Sequence, residues 1–148
     1  MPRGAPRVPR LRRPRAVAEG RLRGWLLLLS RILLIYQPIN LAVSAATALN
    51  SLPTRGPKVF VAIAARVVGA AVSVSAGLAL TNHQPHAVRL TQIALLTSAA
   101  CDVFIYTTSF YPNNRPPGDT AYYVAATLLA HSIGLVYISL PGASQQLD

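Results

Sequence analysis

Arg31, Arg66, Asp102 and His131 each interrupt a long apolar stretch of this chain, and Asn40 adds a carboxamide to the first of those stretches. Asp102 and His131 can titrate, and Arg66 is a permanent cation. Asn40 both donates and accepts hydrogen bonds. A charge inside hydrocarbon costs roughly 2.5–3.5 kcal/mol on insertion scales, so such a group normally faces the interior of a helix bundle and takes a partner there. With a rise of ~1.5 Å per residue, Arg66 and Asp102 each lie roughly 12 Å below the same end of their helices. Asn40 falls near that level and His131 slightly deeper. Opposite charges at matching depth on adjacent antiparallel helices predict an Arg66–Asp102 pair.

Facing supports one shared polar interior. Ala65, Gly69, Ser73 and Gly77 recur every four residues, a small-residue stripe that permits close helix packing. Arg66 flanks that stripe. Ser98, Asp102, Tyr106 and Ser109 share one helical face, Tyr36, Asn40, Ser44 and Thr47 another, and Thr127 precedes His131 by one turn. Two chemistries fit such a cluster. In one, Arg66–Asp102 is a structural ion pair, with Asn40 and the hydroxyls satisfying the remaining hydrogen bonds. In the other, Asp102 and His131 form a proton or ion relay of the kind transporters use. A small-molecule pocket is a third use of the same groups.

Other candidates carry less. His83 and His86 are spaced H-x-x-H in a connection without a neighbouring Cys or acid, whereas zinc needs at least one more ligand, so no metal site is expected. Cys101 is the single cysteine, which excludes an intramolecular disulfide and reads as apolar packing. No G-x-S-x-G, phosphate-loop or H-E-x-x-H sequence occurs, and the chain has four acidic residues in all. An enzyme is therefore not expected, nor a cofactor. Arg31 lies about 10 Å from its helix end and can snorkel toward the interface. Pro38 predicts a kink, because its missing N–H leaves a carbonyl near residue 34 without a partner.

The elements that must position these groups are four apolar helices, approximately residues 25–49, 59–80, 90–110 and 121–140. Each is long enough to span ~30 Å of hydrocarbon. Hydrophobic residues make up 52% of the 148-residue chain and charged ones 12%. That is half the ~25% charged residues of a soluble domain, so lipid is the expected solvent. Ser51-Leu52-Pro53-Thr54-Arg55-Gly56-Pro57, Asn82-His83-Gln84-Pro85 and Tyr111-Pro112-Asn113-Asn114-Arg115-Pro116-Pro117-Gly118 divide the helices as loops. Asp119 or Thr120 is the expected N-cap of the fourth. Short connections make neighbouring helices antiparallel. The fold expected is thus all-α, a polytopic four-helix transmembrane bundle over 24–140, preceded by a tail (1–23) and followed by a short one (141–148).

The net charge of +10 belongs mostly to the first tail, where eight of the 14 basic residues lie before Gly24. With no aromatic residue before Trp25 to stack on bases, nucleic acid is not the expected partner. Membrane lipids are, together with a second copy or another membrane protein. Pro2, Pro6, Pro9 and Pro14 predict a disordered tail rather than an amphipathic presequence. The Arg-rich start followed by Trp25-Leu26-Leu27-Leu28-Leu29 imitates a secretory signal, but Arg31 interrupts it and the apolar stretch runs on to about residue 49, so a retained anchor is expected. Nine basic residues on the N-terminal side and at Arg89, against Arg55, Lys58 and Arg115 opposite, place both termini in the cytoplasm. Trp25 and Tyr137 then lie near the inner interface, and Tyr111, Tyr122 and Tyr123 near the outer.

The opening Arg23-Gly24-Trp25-Leu26-Leu27-Leu28-Leu29, with Pro38 about a dozen residues on, resembles the start of a family of uncharacterised bacterial four-helix membrane proteins. That family opens with a Gly-Trp-Leu motif at its first helix. The resemblance covers about twenty residues and loosely the four-span layout. It implies a bacterial inner membrane and no particular activity. The basic C-terminal segment expected of that family is replaced here by Gln145-Gln146-Leu147-Asp148. The function expected is a structural or accessory membrane component acting through helix–helix contacts. A small oligomeric transporter or channel with an Asp/His relay, and a membrane tether using the basic tail, are the alternatives.

Overall fold

The computed structural model describes residues 24–108 and 117–141. The basic tail, most of the third connection with Ser109, Tyr111 and Arg115, and the segment from 142 onward lie outside the described residues, as do the expectations that fall on them. Among the described residues the protein is all-α, without a strand. Four helical stretches are long and apolar enough to cross a bilayer: Trp25–Asn50, Gly56–Thr81, Ala87–Thr107 and Gly118–Ser139, with mean hydropathy between 1.4 and 2.0.

The first stretch is built in three parts: α1 (Trp25–Arg31), a π-helical segment (Ile32–Tyr36) and α2 (Gln37–Asn50). Its irregularity has a cause in Pro38, which has no N–H for the carbonyl four residues before it. The chain answers by widening the turn just upstream, where the Gln37 N–H reaches back five residues to Ile32 O. The expected distortion is therefore a π-bulge.

The first connection differs from the loop expected. It forms a short helix, α3 (Leu52–Arg55), and a 3₁₀ turn (Gly56–Lys58) that leads directly into α4 (Val59–Thr81). Pro53 sits in the first turn of α3, where no N–H is needed. Gly56 adopts φ 70°, ψ −165°, a conformation open to glycine, and this lets the chain reverse so tightly.

α5 (Ala87–Thr107) begins three residues earlier and ends three earlier than expected. A turn closed by Ala87 N–H on Gln84 O feeds it directly. At its far end Thr107 Oγ1 and Thr108 Oγ1 donate back to Val103 O and Phe104 O, and Thr108 turns to extended backbone. α6 (Pro117–Ser139) starts at Pro117, not after Asp119 or Thr120. Proline is preorganised for the first helical position, and Asp119 lies in the first turn, where the helix dipole favours an anion.

The first stretch and α5 both pack on α4, and α6 packs on α5. The core is built mostly from small residues: Ala62, Ala70, Ser73, Ala76 and Ala79 of α4 and Ala94, Ser98 and Ala99 of α5 are buried. Side chains of this size let backbones approach closely without a hydrophobic force between helices. All four stretches converge at one end in an apolar cluster that includes Leu26, Leu33, Leu80, Ala87, Leu95 and Ile138. The Trp25 and Tyr137 rings lie 6.4 Å apart at that same end. The start of α1, the end of α4, the start of α5 and the end of α6 thus share one side of the bundle.

Candidate functional site

The α4–α5 seam carries the polar chemistry. Arg66 Nη1 donates to Asp102 Oδ1 at 2.6 Å, with the two side chains 12% and 15% exposed. One turn and more toward the sealed end, the Ser73 and Ser98 hydroxyls meet at 3.1 Å, fully inside the bundle. On the other flank Cys101 Sγ–H donates to Ala65 O at 3.2 Å. From Arg66–Asp102 to Ser73–Ser98 the α4 numbers rise as the α5 numbers fall, as antiparallel helices require. The guanidinium is not fully satisfied: Arg66 Nε is buried without a hydrogen-bond partner.

The small-residue stripe divides between two neighbours. Ala65, Gly69 and Ser73 face α5, where a Cβ on Gly69 would meet Cys101 Sγ at an ordinary 3.6 Å. Gly77 instead faces the π-helical segment, and a Cβ there would stand 2.6 Å from Leu34 Cγ. The stripe therefore serves both seams of α4, which its spacing alone does not show.

Above the apolar cluster lies a cavity of about 870 Å³ between the first stretch and α6, floored by α4 and α5. Asn40, Arg66, Asp102 and His131 all line it. Its walls are amphipathic along their length. Around Asp102 stand Asn40, Ser44, Tyr106, Tyr123 and Thr127, whereas Leu29, Ile32, Leu33, Leu95 and Gly134 line the part nearer the sealed end. Asn40 Oδ1 accepts from Ser44 Oγ at 3.5 Å. His131 Nδ1 lies 2.8 Å from Thr127 O, one turn back on its own helix. A carbonyl only accepts, so Nδ1 carries a hydrogen and Nε2 is the ring nitrogen left for another partner.

Two further polar residues line the cavity without having been expected there. Gln37 also lines the cavity, three residues before Asn40, a spacing that offered the signal. Tyr123, expected at the outer interface, lines the cavity and stacks at 6.0 Å on Tyr106. Thr47, counted with the polar strip of the first helix, is exposed and donates to Val43 O of its own helix. Ser98 belongs to the α4–α5 seam, not to the cavity. Arg31 is exposed on the bundle surface.

The H-x-x-H pair divides as well. His86 precedes α5, while His83 adopts φ 49° after α4. His83 N–H donates to Leu80 O and Gln84 N–H to Ala79 O, the paired bonds of a Schellman closure with His83 at its left-handed position. Among the described residues no three of His, Cys, Asp and Glu come together as metal ligands would. No protein-family model, no curated protein and no solved structure matches this chain.

Proposed function

We infer that this chain is an accessory component of a membrane, acting through lateral helix–helix contacts in the bilayer and not by passing a solute through its own bundle. One observation carries this reading. The polar cavity ends on an apolar cluster to which all four stretches contribute, with Leu26, Leu80 and Ile138 fully buried. A hydrated path along Asp102 and His131 meets hydrocarbon before it reaches that side of the bundle, and moving a charge across it would be opposed by desolvation. The Arg66–Asp102 and Ser73–Ser98 contacts are both spent within one helix seam.

The excess of basic residues before Gly24 and at Arg89 supports both termini in the cytoplasm, and the resemblance of the Gly24-Trp25-Leu26 start supports a bacterial inner membrane. The test is full-length protein in proteoliposomes under a pH gradient. Proton flux equal to that of empty vesicles is expected, with Asp102→Asn weakening the fold and leaving flux unchanged. A pH-dependent flux abolished by His131→Ala would overturn the accessory reading. It would instead favour a relay, the second reading, whose support is that Asp102 and His131 line the same cavity.

A further inference from the structure

We propose that the cavity between the first stretch and α6 is a binding site for a single-chain amphiphile with an uncharged, oxygen-bearing head, entering sideways from the bilayer. The site needs only the membrane-spanning fold and goes beyond the accessory role.

Size and shape come first. A volume of about 870 Å³ lies within the ~300–1,000 Å³ of small-ligand sites. The lining runs along the first stretch from Leu29 to Ser44, which at ~1.5 Å per residue is a groove roughly 22 Å long. It is therefore elongated. Tyr36 and Val43 line the groove and are each more than half exposed, so it opens to the surface of the bundle, where lipid lies.

Charge decides the head. Arg66 and Asp102 both line the cavity, and at 2.6 Å each is already the other's partner. A charged head would have to compete with that pair for its counter-charge, at the cost of leaving one of the two ions unpaired. A hydroxyl or carbonyl head has suitable partners. The Asn40 and Gln37 amide groups can donate to it, and His131, held at Nδ1 by Thr127 O, has Nε2 left for it.

Polarity along the groove sets the direction. The head belongs beside Asn40 and Asp102, with the hydrocarbon chain running past Leu33, Leu95 and Gly134 toward the sealed end. Membranes offer this chemistry from two sources, monoacylglycerols and quinones with an alkyl tail.

The test uses the full-length chain in detergent, read by native mass spectrometry and by competition. The probes are monoolein, oleic acid and oleylamine, which share a chain and differ in head charge, together with decylubiquinone. One equivalent of monoolein or decylubiquinone should bind saturably, and the better of the two identifies the source. Both charged congeners should bind at least about tenfold more weakly, since each must compete with the Arg66–Asp102 pair. Ala130→Phe fills the groove and should abolish binding, whereas Ala125→Phe, exposed and outside the cavity lining, should not. If Ala130→Phe fails to fold, Asn40→Leu serves in its place and should weaken the neutral probes alone. Equal binding of all three oleyl probes, unsaturable uptake, or binding that survives both Ala130→Phe and Asn40→Leu would overturn the proposal. So would a stable dimer that binds no probe and falls apart on Ala130→Phe, which would make a second copy the occupant.

Discussion

Gly77 of α4 and Leu34 of the π-helical segment are packed so closely that a methyl group on Gly77 would come within 2.6 Å of Leu34 Cγ and 3.3 Å of Leu33 Cβ. The obstructing atoms lie at the base of branched side chains and have little freedom to yield. Gly77→Ala should destabilise the protein by about 1–3 kcal/mol, the range for overpacking. Gly69→Ala, whose new methyl would meet Cys101 Sγ at 3.6 Å, should be near neutral. Equilibrium unfolding in mixed micelles checks both, and equal losses at the two positions would contradict the division of the stripe between two seams.

The Arg66–Asp102 contact makes a second prediction. Removing one partner leaves the other ion largely buried, so Asp102→Asn and Arg66→Met should each cost about 3–5 kcal/mol. The reversed pair, Arg66→Asp with Asp102→Arg, should be more stable than either single reversal. Non-additivity of at least about 1 kcal/mol in that cycle is the expected signature of direct contact. Strict additivity would mean that the two side chains do not meet.

The serine pair offers a milder case. Ser73→Ala leaves the Ser98 hydroxyl buried without its partner and should cost about 1–2 kcal/mol. Replacing both serines by alanine removes the orphan group and should cost less than the two single changes added. The same unfolding measurement decides it.

His83 is a place where the protein can be improved. Its φ of 49° is the left-handed conformation in which a Cβ is strained, and its Nε2 is buried without a partner. His83→Gly should raise stability by roughly 0.5–1 kcal/mol, because glycine suits the closing position of a Schellman motif. Loss of stability would show that the imidazole packs more usefully than its hydrogen bonding suggests.

Topology can be checked without any functional assay. His86 and Asp119 are both exposed and stand at opposite ends of α5 and α6. In a Cys101→Ser background, His86→Cys and Asp119→Cys should react with an impermeant thiol reagent from opposite sides of the membrane. Labelling of both from one side would overturn the four-span arrangement.

Much of this architecture was legible because a bilayer imposes a simple rule. Backbone groups in hydrocarbon must be satisfied within the chain, so a long apolar run reads as a helix whatever its neighbours do. The depths of Arg66 and Asp102 were legible for the same reason, since a helix converts residue count into distance at a fixed rise. The ends of the helices were harder to read. Pro117 opening α6, the Thr107-Thr108 hydroxyls ending α5 and the helical turn at Leu52–Arg55 depend on which local hydrogen bond wins, and several residue types compete for each.

Composition and spacing by themselves determined that four apolar helices run through this chain, that the charge sits mainly in its N-terminal tail, and that a guanidinium and a carboxylate lie at one depth. Only the tertiary structure decided that Gly77 packs on the first stretch while Gly69 packs on α5, that His131 is turned onto Thr127, and that side chains from all four stretches seal the bundle at one end. Helical periodicity assigns each residue to a face of its own helix. Which neighbour that face meets follows from side-chain packing across seams that no single helix contains.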